Sequence, residues 1–171
     1  MATMAVNTRN VSGRRQLRYD SYQDLLNDAE RLAVSEVRPL GNWSLGQVLG
    51  HLARAMEMSI DGCEFKASWP VRLAARLFFR QRLISGPTPA GFQLPRAARE
   101  AFVPPPTSKQ TGLAELRRAI ERLHNEFDRA PHPLLGELSL DEWDNLHLRH
   151  AEMHMSFMAL EAAPVEAIAG R

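Results

Sequence analysis

The sequence predicts an all-α fold, a four-helix bundle with a short extra helix and a proline-rich loop. Three observations lead there. Apolar residues recur at helical spacing in four long segments, a serine stands at the start of each, and no stretch shows the period of two that marks a half-buried strand.

The first helix is capped by Ser21 and extends to about Ala33, with Tyr22, Leu25, Leu26, Ala29 and Leu32 on one face. Pro39 and Gly41 break the chain. Ser44 and Gln47 form a capping-box pattern after Trp43, and Leu45, Val48, Leu49, Leu52, Ala55, Met56 and Ser59 carry helix two to about Gly62. A short third helix is expected from Trp69 or Pro70 to about Leu83, with Val71, Leu73, Ala74, Leu77 and Phe78 inward and Arg72, Arg76 and Arg80 outward. Prolines at 87, 89, 95 and 104–106 then exclude continuous helix from Ser85 to Pro106. Leu113, Leu116, Ala119, Ile120, Leu123 and Phe127 mark a helix from about Ser108 to Arg129. The last opens at Ser139, with Glu142 as its capping-box partner, and is expected to reach about Glu161 before Pro164.

At 171 residues and 44% hydrophobic content, the chain is long enough for one domain with a full core. We divide it into a flexible arm (1–13), the bundle (14–163) and a tail (164–171). A net charge of +1 gives no global field that would select nucleic acid or an anionic membrane, and no apolar run approaches the roughly 18 residues needed to span a bilayer. Arg9, Arg14, Arg15 and Arg18 lie near the N-terminus without the apolar run of a secretion signal. Cys63 is the single cysteine, which excludes an internal disulfide or a multi-cysteine zinc site and fits a reducing cytoplasm. Only Lys66 and Lys109 are lysines among the basic residues, the bias of a GC-rich bacterial genome.

The chemistry lies in the histidines. His150 and His154 are four apart, so on a helix their Cβ atoms stand about 5–6 Å apart and both rings can converge on one ion. His147 and His154 are separated by about 10.5 Å along the axis, too far to share an ion easily; His147 reads as a packed residue or a support for the ligands. The third ligand should come from another helix. His51 is the best candidate, on a stripe of helix two with Ser44, Gln47, Ala55 and Met58. The blander alternative is three histidines hydrogen-bonded to backbone inside a core.

The segments Gly41-Asn42-Trp43-Ser44-Leu45-Gly46-Gln47-Val48-Leu49-Gly50-His51-Leu52-Ala53, Glu142-Trp143 and His150-Ala151-Glu152-Met153-His154 resemble the DinB/YfiT-like metalloprotein superfamily. Within it they resemble a branch described only as a domain of unknown function. Arg14-Arg15-Gln16-Leu17-Arg18-Tyr19-Asp20-Ser21 also resembles that branch, so the likeness extends over roughly Arg14 to Glu161. It implies an up-down-down-up bundle, often a homodimer, holding nickel or zinc through one histidine of helix two and two of the last helix, here His51, His150 and His154. Relatives in the superfamily include transferases and a maleylpyruvate isomerase that use low-molecular-weight thiols. Met155-Ser156 departs from the Arg-Gln-like pair expected after the second histidine, and no transferase motif is present.

Three neutral imidazoles would leave a divalent ion with an open position, able to acidify a thiol or water for a small-molecule substrate. A zincin-type protease is disfavoured, because Ala151 stands where its general-base glutamate belongs and Glu152 points about 200° round the helix from His150. Cys63 and the methionines Met56, Met58, Met153, Met155 and Met158 read as packing residues. Trp43 and Trp143 read as packing for the bundle ends. The expected function is thus a metal-dependent, thiol-using transferase, or else a non-catalytic bundle that binds a metal or small ligand and acts through association.

Overall fold

A computed structural model describes residues 5–64, 67–91 and 103–161; the whole of the proposed tail (164–171), the start of the proposed arm and part of the proline-rich loop lie outside them. The protein is mainly helical: α1 is Tyr22–Ala33, α2 Leu45–Asp61, α3 Trp69–Ala74, α4 Arg80–Ser85, α5 Lys109–Asn125 and α6 Leu140–Met155. The serine caps form as their spacing predicts. Ser21, Ser44 and Ser139 each accept a hydrogen bond from the backbone three residues on, and Asp24, Gln47 and Glu142 bond back to complete three capping boxes. Ser108 caps α5 on Thr111, and Gly62, at φ 81°, ends α2 in a conformation that side chains disfavour.

α1, α2, α5 and α6 contribute to one core, including Leu25, Leu32, Leu49, Leu52, Met56, Leu116, Ala119, Ala151 and Met155. α2 packs along α5 and also touches α6. Gly46 and Gly112 make the first contact unusually close: a methyl group on Gly112 would stand 2.5 Å from Gly46 O, and one on Gly46 would overlap Thr107 O.

Two expectations are corrected at the last helix. It stops at Met155, not near Glu161, and Met158–Leu160 forms a strand, β2, antiparallel to β1, Val37–Pro39. Val37 pairs with Leu160 and Pro39 with Met158, and the ladder is extended by Leu40 N–H to Phe157 O (2.9 Å) and Glu161 N–H to Glu36 O (3.0 Å). At three residues each, these strands are too short to show alternation in sequence. Their backbone pairing overrides the helical tendency of the Met-Ala-Leu run.

The third predicted helix is also different. It extends to Ser85, and α3 and α4 are joined by a π-helical turn, Ala75–Phe79. The buried positions are Ala75 and Ile84, whereas Val71, Leu73, Leu77 and Phe78 face water and Arg80 turns inward to Glu142 (2.8 Å). The predicted apolar face is thus turned outward and Arg80 inward, while Arg76 is exposed as expected. Ala75 and Ile84, nine residues apart, would lie about 180° apart on an α-helix; the extra residue of the π turn reduces this to roughly 80° and lets both meet Leu135.

The segment before α1 is fastened to the core by Asp28, whose side chain is 8% exposed. Its carboxylate accepts bonds from both Arg15 Nη atoms (2.8 and 2.6 Å), Tyr19 Oη (2.6 Å) and Arg31 Nη2 (2.7 Å). Burial alone would raise its pKa, but these donors outweigh it and hold it at about 2, against 3.8 when free.

Two predictions follow the packing. Gly46→Ala should lower the unfolding free energy by about 1–3 kcal/mol in urea titrations, because the neighbour it strikes is backbone. Asp28→Asn should cost about 3 kcal/mol by leaving Arg15 buried without its counter-ion. Because Asp28's folded pKa is depressed, wild type should keep this contribution above about pH 4 and lose it as pH falls toward 2, whereas the variant should show a weaker acid dependence there.

Candidate metal centre

α2 and α6 bring the three predicted ligands together. His51, on α2, is 8% exposed; His150 and His154, one turn apart on α6, are partly buried. One ring nitrogen from each lies within 4.8 Å of the others, an arrangement that could hold a metal ion. His150 Nε2 is 3.4 Å from His51 Nε2 and 3.0 Å from His154 Nε2. At metal–nitrogen distances of about 2.0–2.1 Å, two ligands stand about 3.4 Å apart at a tetrahedral angle and about 3.0 Å apart at a right angle. Both observed separations fit ligands of one ion.

Hydrogen bonding alone satisfies this geometry poorly. A neutral imidazole nitrogen is either a donor or an acceptor, so His150 Nε2 can serve both neighbours only by sharing one lone pair or one N–H between them. A cation at the centre would meet three lone pairs at once. The rings are also in the required state: burial, reinforced by the neighbouring imidazoles, holds the pKa values of His150 and His154 well below 6.5, so both are neutral at pH 7. Neighbouring imidazoles act on both rings, and Arg14 acts on His154 as well.

Trp43 has a role that the sequence reading assigned to packing of the bundle end. Its ring stacks on His154 (5.2 Å between centroids, 11° between planes) and leans on His51 (4.9 Å, 52°), so one indole braces ligands from both helices. Arg14 bonds Ser156 Oγ through Nε (2.9 Å) and Nη2 (2.7 Å) and lies 4.3 Å from the centre of the Phe157 ring. Ser156 is therefore the anchor for the Arg14 cation beside the cluster. The signal available in sequence was the arginine-rich segment before α1, whose partner across the chain could not be read.

His147 stays apart from the three. It is buried against Trp143, with its Nε2 3.1 Å from Ser59 Oγ. Because that hydroxyl donates to Met56 O (2.6 Å), it accepts the Nε2 proton, which fixes the tautomer of His147. Burial lowers its pKa to about 3. His132, unremarked in the sequence, also packs on Trp143, and its Nδ1 accepts N–H bonds from Leu134 (3.1 Å) and Leu135 (3.0 Å), closing the turn before α6.

Fold and site define a mainly helical protein with a three-histidine cluster suited to a metal ion. The family described as "Protein of unknown function (DUF1569)" matches residues 11–161, and the chain belongs to it. No curated protein and no solved structure matches the chain.

If Trp43 braces the ligands, Trp43→Ala should weaken metal affinity by on the order of tenfold while leaving the three histidines in place. Competition with a chromogenic chelator measures this, and unchanged affinity would reduce the indole to packing.

Proposed function

We propose that the protein is a DinB/YfiT-like four-helix bundle that binds nickel or zinc through His51, His150 and His154 and uses the site as a thiol-dependent transferase. The observation that carries the reading is the convergence of three imidazole nitrogens at ligand-to-ligand distances. Such a donor set leaves the ion's charge uncompensated and a position open, the arrangement of a catalytic rather than a structural site.

A divalent ion there would supply Lewis acidity, lowering the pKa of a thiol in its open position. The chain's own residues set the rest. His51, His150 and His154 orient the ion, Trp43 restrains two of the rings, and Arg14 adds positive charge on the side of Ser156. An ion in this site would favour a thiol over water, because a thiol parts with its proton more readily. The motif likeness to thiol-using relatives supports the same choice.

The first experiment is metal analysis by mass spectrometry on protein without a histidine tag, beside His51→Ala. Near-stoichiometric nickel or zinc, lost in the variant, is expected; native protein that neither contains nor takes up metal would sink the proposal. Chelation should also lower the melting temperature of native protein, since an ion that binds only the folded state stabilises it. Thiol consumption with a panel of electrophiles then tests the reaction. It should depend on the metal and disappear in His154→Ala; equal background in both proteins would leave a binding bundle.

A further inference from the structure

The inverted segment α3–α4 presents an apolar face with nothing against it among the described residues. It is held by Ala75, Ile84 and Leu135 and by the Arg80–Glu142 ion pair. On its other side Trp69, Leu73 and Leu77 follow at intervals of four, with Phe78 beside them, and they are 73%, 47%, 67% and 75% exposed. Residues four apart on a helix lie one above another, so this is a contiguous row. Such a surface marks an interaction site more often than it marks chance exposure.

Charge selects the partner. Within α3–α4, residues 69–85 contain four arginines, of which Arg80 is paired with Glu142, and no Asp or Glu, whereas the whole chain is only +1. Arg82 is exposed beside the apolar row and Arg76 is exposed at its edge, its guanidinium over Gly136, and neither forms an ion pair among the described residues. In a two-fold dimer built on this face, the arginines of one copy would approach those of the other. An anionic lipid surface satisfies both features, because its phosphates take the arginines and its acyl boundary takes Trp, Leu and Phe side chains.

We propose that the α3–α4 face docks on an anionic phospholipid surface, lying in the interface with Trp69, Leu77 and Phe78 toward the acyl chains. None of the described helices is long and apolar enough to cross a membrane, and none needs to be for binding of this kind. The π turn, by placing Ala75 and Ile84 on the body, commits the larger apolar side chains to the outside.

The test is co-sedimentation of the full chain with phosphatidylcholine vesicles, and with vesicles in which part of that lipid is replaced by phosphatidylglycerol. Wild type should sediment only with the anionic vesicles, and added salt should weaken binding. The double substitution Leu77→Glu, Phe78→Glu should reduce binding by more than about tenfold. Arg76→Gln with Arg82→Gln should remove the preference for anionic lipid. All four positions are exposed, so circular dichroism and the melting temperature should be unchanged. His154→Ala should bind vesicles as wild type does, which separates this proposal from the metal reading.

Absence of wild-type binding, or equal binding to both vesicle types, would overturn the proposal. So would a wild-type dimer on size-exclusion chromatography with light scattering that Leu77→Glu, Phe78→Glu converts to monomer, because a second copy would then cover the face.

Discussion

The site depends on how closely two helices can approach. Gly46 faces the start of α5, and Gly112 faces Gly46 O in return, so the helices meet backbone to backbone there, with Leu49 Cβ close beside. His51 lies five residues beyond Gly46, about 140° round α2 at 100° per residue. The face that nestles against α5 therefore turns the imidazole toward α6, where His150 and His154 wait. A side chain at either glycine would wedge the helices apart and move His51 with its backbone.

Bringing three imidazoles together in the interior has an electrostatic consequence. If any of them were charged, burial would oppose it and the other rings would add to the penalty, so the cluster favours the neutral, lone-pair form that a metal requires. Protein around the ligands restrains them further. Trp43 contacts both helices through one ring, and β1–β2 ties the exit of α6 to the connection between α1 and α2. A buried charge also anchors α6 on its far side: Arg149 is 2% exposed, donates to Tyr19 O and pairs with Glu152 at 2.9 Å. These contacts leave little freedom for the helix carrying two of the three ligands.

Much of this is legible in the sequence itself. Serine caps, helical periodicity and the His150–His154 spacing are local signals, and α1, α2 and the starts of α5 and α6 follow them closely, whereas α5 ends at Asn125 rather than near Arg129 and leaves Phe127 71% exposed. His51 was legible because its stripe faces the core. The losses have physical causes. Periodicity shows that a helix has an apolar face but not which medium that face meets, so the outside of α3–α4 was read as its inside. The end of α6 was missed because β2 is decided by a partner more than a hundred residues away. Arg149 and the Arg14–Ser156 contact were missed for a related reason: an arginine in isolation reads as solvated until its distant partner is known.

The π turn leaves this protein with an uncommon sensitivity to length. Most small insertions and deletions are tolerated in loops and resisted within helices, because they shift every later residue by about 100°. Between Ala75 and Phe79 the helix has already absorbed one residue more than an α-helical turn holds. Deleting a single residue there would restore regular winding and carry Ile84 away from Leu135, exchanging the lining of the body for the surface beyond it. Substitutions adjust how apolar the exposed row is; chain length decides which row is exposed.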